Sequence, residues 1–154
     1  MKNIENKLIN LLLEENSKED LIRKILDLNN PTKDDYQIRY IGPAGGIVFM
    51  QYPNGFCVEC WTQDEPNLMT WDKAHEHVQT LNYGGYNDWI LPTIDELNKI
   101  YENKNRLDNF QGDFYWSNTE YDAFLAWNQL FSIGNQYSLS KNNRYRVRAV
   151  RRFK

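Results

Sequence analysis

The sequence predicts an α+β fold in which two short helices lie between two groups of antiparallel strands. A hairpin signal, Asn54-Gly55, separates two apolar runs in the first half of the chain. Two amphipathic helical patterns follow between residues 70 and 101, and short strand-like segments run from Phe114 to the C-terminus. In a chain of 154 residues, this order indicates one domain with a short appendage.

The appendage is an N-terminal helical segment over residues 1–28. Residues 3–15 and 17–28 each carry an apolar stripe at helical spacing, and Ser17 with Asp20 is a plausible cap for the second helix. Helices this short are marginal alone in water. They would therefore pack on the domain, or they would mediate self-association or docking to a larger particle, and both readings stay open. Residues 29–36 contain Pro31 and are predicted to be a linker.

The main domain is predicted over residues 37–154 and begins with strands. A strand-like segment over residues 36–41 precedes a glycine-containing turn, Gly42 to Gly46, and a buried strand over residues 47–50. The Asn-Gly hairpin turn then leads into a return strand over residues 56–61.

The first predicted helix of the domain is capped by Thr70 and extends to about Leu81. Three- and four-residue spacing places an apolar stripe on its inner side. The stripe consists of Trp71, Ala74, Val78 and Leu81.

The second predicted helix begins with a capping box formed by Thr93 and Glu96, and Leu97, Ile100 and Tyr101 continue its apolar side. Residues 103–113 are rich in Asn and Asp and are predicted to be a polar loop, since their spacing does not match a calcium-binding loop. Short strands follow, ending in a C-terminal strand over residues 144–153.

Charge and hydropathy bear on partners and location. A formal net charge of −3 argues against a nucleic-acid partner held by a basic face. No run of apolar residues approaches the length of a membrane span, and residues 1–16 lack the pattern of a secretory signal. These features predict a cytoplasmic product as encoded, with display on a surface or particle only by another route.

Side chains for catalysis or metal binding do not form a recognisable set. Cys57 and Cys60 lie three apart on a predicted strand, point to opposite faces, and are interpreted as structural thiols. His75 and His77 lie two apart on a helix, which is not the spacing of a metal-ligand pair, and are expected at the surface. We therefore predict no catalytic residue, no cofactor and no metal site.

Several motifs in register carry a family resemblance. They include Gly42-Pro-Ala-Gly-Gly-Ile-Val-Phe49, Gly85-Tyr-Asn-Asp-Trp-Ile-Leu-Pro-Thr93, Tyr115-Trp-Ser-Asn-Thr-Glu120, Ala126-Trp127 and Val147-Arg-Ala-Val-Arg151. Over residues 37–153 the chain resembles the bacterial DUF1566 family, the type found at the C-terminus of the Legionella collagen-like adhesin. The resemblance implies a C-type-lectin-like fold related to the formylglycine-generating enzyme, with two helices flanking small, irregular antiparallel sheets.

The C-terminal motifs are also similar to those of C-type-lectin-like proteins diversified by retroelements, in which variable positions lie between fixed scaffold residues. This resemblance implies a non-catalytic, receptor-like protein that binds a protein or glycan ligand through residues 118–140. Tyr and Phe there supply rigid contact area, and Ser and Asn supply adaptable hydrogen bonds. The implied ligand-binding residues are Asn118, Tyr121, Asp122, Ala123, Phe124, Leu125, Asn128, Leu130, Ser132, Ile133, Asn135, Tyr137, Leu139 and Ser140.

Two other functions are weighed against ligand binding of this kind. A glycan-binding adhesin would read sulfated polymers through Lys141, Arg144 and Arg146. An oxidoreductase like the formylglycine-generating enzyme would need a reactive cysteine pair in the C-terminal half, and both cysteines precede residue 61. The first is the alternative, and the second is less favoured.

The remaining motif residues are interpreted as scaffold. Trp89, Trp116 and Trp127 are expected in the core because each has a large apolar surface to bury. Arg148 and Arg151 are expected to pair, buried or at an edge, with acidic residues such as Asp88 or Glu120.

Overall fold

A computed structural model describes residues 40–154, and over these residues the fold is α+β with three helices and two small antiparallel sheets. The predicted helical segment at residues 1–28, the predicted linker at residues 29–36 and the first residues of the predicted domain lie outside the described residues. None of the described helices is long and apolar enough to cross a membrane.

The first sheet, sheet 1, has four strands in the order β1-β2-β3-β7. They are β1 (Tyr40–Ile41), β2 (Ile47–Gln51), β3 (Cys57–Cys60) and β7 (Val150–Phe153). The predicted hairpin between β2 and β3 is confirmed: the Tyr52 N–H donates to the Phe56 carbonyl at 2.7 Å, and Gly55 has a φ of 88°. A left-handed φ of this kind is the reason that glycine suits the position.

The second sheet, sheet 2, has three strands in the order β4-β5-β6. They are β4 (Phe114–Glu120), β5 (Leu125–Leu130) and β6 (Gln136–Ser140). On its other side, β4 is bridged by the chain at Arg146, whose N–H donates to the Phe114 carbonyl at 3.0 Å. Sheet 2 therefore has one edge occupied by this bridge, and β6 forms the other.

The first helix, α1 (Trp71–Val78), is shorter than predicted. Thr70 occupies the N-cap position, as expected, but its side chain makes no capping hydrogen bond. The helix stops at Val78 and the chain continues in a turn, yet Leu81 is still buried and packs with the predicted stripe. The burial of that stripe is confirmed, because the turn keeps Leu81 on the inner side.

The second helix, α2 (Ile94–Glu102), begins with the predicted capping box. The Thr93 hydroxyl accepts from the Glu96 N–H at 3.1 Å, and the Glu96 carboxylate accepts from the Thr93 N–H at 2.8 Å. The predicted loop at residues 103–113 is wrong in part, because Lys104–Leu107 forms a short helix, α3. Leu107 is buried there, so an apolar contact stabilises a turn of helix within a polar segment.

The C-terminal strand is also shorter than predicted. Regular pairing begins at Val150, whereas Tyr145 and Arg146 form only isolated bridges, to Met69 and to Tyr115 respectively. The first predicted strand contributes only its last two residues, as β1, to the described part of the chain.

The core consists of two clusters. The first cluster is formed by side chains from α1, sheet 2 and the chain before β7. The second is formed by side chains from α2 and sheet 1 together with Tyr115 of β4. Trp89 and Trp116 are 1% and 0% exposed, so their predicted place in the core is confirmed. The first cluster contains Ala44, Trp71, Ala74, Val78, Leu81, Trp89, Leu91, Trp116, Ala126, Val147 and Ala149.

Two arginines of the C-terminal motif form ion pairs at this core, one of them with a buried carboxylate. Arg151 binds Asp88, as predicted, and its Nη1 also lies 2.9 Å from Oε1 of the fully buried Glu59. Glu59 accepts a further hydrogen bond from the Gly46 N–H at 3.1 Å. Arg148 is fully buried and lies 2.7 Å from Asp64. Arg151 thus pairs with the expected Asp88, while the partners Glu59 and Asp64 emerge only from the tertiary structure.

Glu96 links α2 to sheet 1. Its fully buried carboxylate accepts from Arg152 at 2.7 and 2.8 Å and from the Tyr52 hydroxyl at 2.7 Å. Burial acts to raise the pKa of Glu96, but the hydrogen bonds from Arg152, the Thr93 N–H and Tyr52 outweigh it and lower the pKa below its ordinary value. Glu96 is therefore both a helix cap and a buried anion.

Candidate functional site

The most exposed apolar side chain of the predicted site lies at the tip of the β4–β5 hairpin. We call residues 121–124 the hairpin tip. Phe124 is 79% exposed and Tyr121 is 58% exposed. Clusters of large, solvent-exposed apolar side chains are common in binding surfaces. The tip is therefore the centre of the candidate site.

Several hydrogen bonds support the turn at the hairpin tip. Oδ1 of Asp122 accepts from the Phe124 N–H at 2.7 Å and from the Leu125 N–H at 2.8 Å. The Leu125 carbonyl in turn accepts from the N–H groups of Tyr121 and Asp122 at 3.0 and 3.2 Å. Asp122 is thus an internal support of the turn, since its carboxylate mimics a backbone acceptor.

Lys141 binds the hairpin tip through its backbone and its side chain. Its N–H donates to the Phe124 carbonyl at 2.9 Å, and its ammonium lies 2.6 Å from Glu120 and 3.3 Å from the Ala123 carbonyl. The same ammonium lies over the Trp71 ring, 4.5 Å from its centroid. Glu120 therefore pairs with Lys141 and not with Arg148 or Arg151, which corrects the prediction that it serves those arginines.

The face of sheet 2 on the α2 side continues the surface away from the tip. In a sheet, residues directly opposite each other on neighbouring strands point to the same face. The β5–β6 pairs Leu125–Ser140 and Trp127–Ser138 point to the face on the α2 side. Trp127 is half-buried, and its ring meets that of Tyr121 edge-on at a centroid distance of 5.6 Å. The prediction that Trp127 belongs to the core is therefore wrong.

We call the combined region the hairpin-end surface. It consists of the hairpin tip with Leu125, Trp127, Ser138 and Ser140. Trp127 and Ser138 were missed by sequence reasoning. Strand alternation from Leu125 would have placed Trp127 on the same face, but a tryptophan in a scaffold motif is usually a core residue.

The other end of sheet 2 carries a second group of predicted site residues. Ser132, Ile133 and Asn135 are exposed in the β5–β6 turn, and Tyr137 at the start of β6 is 37% exposed. A six-residue strand separates them from the hairpin tip, or roughly 20 Å at the usual rise per residue. The structure thus divides the predicted surface into two regions.

The remaining predicted residues are partly or wholly covered. Asn118, Leu130 and Leu139 are half-buried. Asn128 is fully buried, and its Nδ2 donates to the Ala126 carbonyl at 3.3 Å. The prediction that Asn128 binds a ligand is therefore wrong. Strand pairing places Asn128 opposite Trp116, on the covered face of sheet 2.

The basic residues near the C-terminus are largely engaged in ion pairs. Nε of Arg146 lies 2.7 Å from Asp113, and the Lys141 ammonium is bound to Glu120. Arg144 is exposed. Two of the three basic residues with which an adhesin would read sulfated polymers thus have carboxylate partners.

Neither histidine is a plain surface residue, which corrects the prediction. The His75 ring packs edge-on against Trp71 at a centroid distance of 4.2 Å, and burial lowers its pKa. Nε2 of His77 lies 2.7 Å from Glu65, a buried carboxylate that also accepts from the Tyr83 hydroxyl at 3.0 Å. His77 is half-buried because it contacts this buried carboxylate.

The cysteines have the structural setting that was expected. Cys57 and Cys60 are free and buried on β3, and burial raises the pKa of Cys60 to about 12. A thiol with a raised pKa forms little of the thiolate that acts as nucleophile or metal ligand. Within residues 40–154, no group of three or more His, Cys, Asp or Glu side chains could hold a metal ion.

Comparison with known proteins places the described domain in a family. No curated protein matches the chain. The family model of the Lcl C-terminal domain matches residues 54–151, which include both main helices, sheet 2 and the hairpin-end surface. This match spans more than half of the 154 residues, and the chain therefore belongs to the Lcl C-terminal domain family.

Proposed function

We propose that this protein is a non-catalytic, receptor-like binding module whose ligand contacts the hairpin-end surface. The observation that carries the proposal is the exposure of Phe124, at 79%, on a tip whose backbone is fixed by Asp122 and Lys141. Preorganised aromatic side chains give affinity at low cost in conformational entropy. The hairpin tip presents its aromatic side chains in this preorganised way.

The side chains around Phe124 suit a mixed contact. Tyr121 and Trp127 offer aromatic area, while Ser138 and Ser140 offer hydroxyl groups beside it. Such a mixture is typical of paratopes, where rigid aromatic anchors are combined with adaptable polar groups. The ligand of this proposal is a protein or a glycan, and the aromatic area at the tip favours a protein.

The alternative is a glycan-binding, adhesin-type domain that reads sulfated polymers. Its basic residues would be Lys141, Arg144 and Arg146, but Lys141 and Arg146 are already bound to carboxylates. An oxidoreductase is less favoured still, because the Cys60 thiol is buried and its pKa is raised to about 12. These contacts support binding without chemistry.

The proposal includes a C-type-lectin-like scaffold and diversification by a retroelement. It also includes a cytoplasmic location as encoded, with surface or particle display by another route. What supports diversification is the position of the exposed residues on a hairpin tip and a turn, where side chains change with little effect on the core.

Sequencing of the 3′ end of the gene and its flanking DNA in a clonal population tests the diversification. We expect substitutions confined to codons 118–140 and a near-copy of that segment nearby. Among the codons of the implied ligand-binding residues, codon 128 should change least, because Asn128 is the one of them that is fully buried. An invariant segment with no copy would rule out diversification and leave a fixed binding module.

Phe124→Ala tests the binding surface. We expect roughly a tenfold or greater loss of affinity for ligands selected on the wild-type chain from a displayed peptide library or a glycan array. The melting temperature should change little, because Phe124 is 79% exposed and buries little apolar area.

Phe56→Ala is the matched control, since Phe56 is also an exposed aromatic residue near a hairpin turn but lies at sheet 1. We expect it to bind the selected ligands like the wild type. Equal binding by all three proteins would overturn the hairpin-end surface as the binding site. A large fall in the melting temperature of Phe124→Ala would place its ring in the core.

A further inference from the structure

The free edge of sheet 2 carries an inference that is independent of what the hairpin tip binds. β4 is covered on its outer side by the bridge to Arg146, but among residues 40–154 no strand lies beyond β6. The outward backbone groups of an edge strand are a template for pairing with another strand.

The hydrogen-bond register shows which groups of β6 point outward. The Leu130 N–H donates to the Asn135 carbonyl, and the Lys141 N–H donates to the Phe124 carbonyl, each at 2.9 Å. Because bonded pairs recur every second residue, the backbone groups of Tyr137 and Leu139 face β5. Those of Gln136 and Ser138 therefore face away from the sheet, as does the Ser140 N–H, whereas the Ser140 carbonyl accepts from the Asn143 N–H at 2.9 Å.

This edge lacks the features with which proteins usually block pairing. Residues 131–140 contain no charged residue and no proline. The β5–β6 register runs without the irregularity that interrupts β4–β5 and β2–β3. Exposed edges are usually protected by lysines, prolines or bulges, so their absence here indicates an edge that is used.

The strand is complementary to itself. In an antiparallel pair with a two-fold axis at Ser138, Gln136 of one copy lies opposite Ser140 of the other, and Ser138 meets its own equivalent. Tyr137 then lies opposite Leu139 on the other face. Each copy thus matches outward backbone groups with outward groups, and the Ser140 carbonyl, which already accepts from Asn143, does so through its second lone pair. Polar side chains meet polar ones, and an aromatic ring meets an aliphatic side chain.

We propose that β6 is a self-association edge, through which a second copy of this chain pairs to give a continuous six-stranded sheet. The uncharged strand brings no like charges together, which suits a partner of identical sequence. A five-residue strand is only about 17 Å long, so the interface is small and the association weak. Both hairpin-end surfaces would lie on one face of the joined sheet, an arrangement that raises avidity for a ligand with repeated sites.

The test uses charge at the two-fold axis, on the full chain without ligand. Alone, Ser138→Lys and Ser138→Glu each place like charges directly opposite, and we expect the dimer dissociation constant in sedimentation to rise at least about tenfold. An equal mixture of the two variants should recover association as a heterodimer. Asn142→Lys adds the same charge at an exposed position after β6 and should associate like the wild type.

Amide hydrogen exchange gives the second readout. In the wild type, exchange at Gln136, Ser138 and Ser140 should slow as the protein concentration rises. Thermal melts identify any variant that fails to fold, and the wild-type exchange result holds regardless of the variants. A wild-type chain that stays monomeric with these amides exchanging freely would overturn the proposal. So would a monomer with these amides already protected, since the chain itself would then cover the edge, or variants that associate unchanged.

Discussion

Replacing Trp116 with alanine is expected to lower the free energy of unfolding by about 3–5 kcal/mol, the range for truncating a buried aromatic residue. Trp116 is fully buried, its indole N–H donates to the Met69 carbonyl at 2.8 Å, and its ring packs on Tyr145 at a centroid distance of 4.6 Å. The substitution leaves a cavity and removes one of the two hydrogen bonds that the Met69 carbonyl accepts, the other coming from the Tyr145 N–H at 3.0 Å. Chemical denaturation monitored by circular dichroism measures the loss.

Phe124→Ala is the control for this measurement, because it removes an aromatic ring from the same sheet at an exposed position. We expect its free energy of unfolding to lie within about 0.5 kcal/mol of the wild-type value. A Trp116→Ala protein as stable as Phe124→Ala would show that Trp116 does not anchor the core.

Replacing Arg152 with methionine is expected to lower the free energy of unfolding at neutral pH by about 2–3 kcal/mol. The range for a fully buried ion pair is higher, but the Arg152 side chain is 34% exposed. The variant leaves the Glu96 carboxylate buried with only Tyr52 and the Thr93 N–H as donors. Lys99→Met, which breaks an exposed pair with Glu102, should change stability by less than about 0.5 kcal/mol.

The pH dependence separates this effect from a simple loss of packing. The pKa of Glu96 is lowered in the folded protein, because hydrogen bonds chiefly from Arg152 outweigh the opposing effect of burial. A lowered pKa contributes stability that is present above the unfolded value, near 4.5, and is lost as the pH falls through the folded value.

The wild type should therefore lose more stability than Arg152→Met as the pH is lowered from neutral into the acid range. The difference between them should be largest at neutral pH and should shrink below pH 4.5, the ordinary value for a glutamate. Denaturation midpoints measured across this range give the comparison. A constant difference at all pH values would show that Arg152 acts through packing alone.

Local patterns were sufficient to predict much of the fold. The capping box of Thr93 and Glu96, the hairpin at Asn54-Gly55 and the stripe from Trp71 to Leu81 depend on residues close together in sequence. Spacing and turn chemistry are therefore enough to predict them from the sequence. The α+β class and the family follow from the order of these elements and motifs.

Helix ends and short helices were predicted less well, because burial decides them. α1 stops at Val78 although its apolar stripe continues to Leu81, and α3 forms in a polar segment where Leu107 reaches the core. Neither outcome is visible in periodicity, since propensity over one turn is small compared with the free energy of burying a leucine.

The candidate surface shows most clearly which features follow from the sequence and which depend on tertiary contacts. The sequence by itself determined that aromatic, serine and asparagine residues are concentrated between residues 118 and 140. Only the tertiary structure decided that Asn128 is buried, that Trp127 joins the hairpin-end surface, and that Ile133 and Tyr137 lie at the far end of the sheet. The physical reason is that a strand's alternation defines two faces, and which face is covered depends on elements far away in sequence, here α1, α2 and the chain around Tyr145.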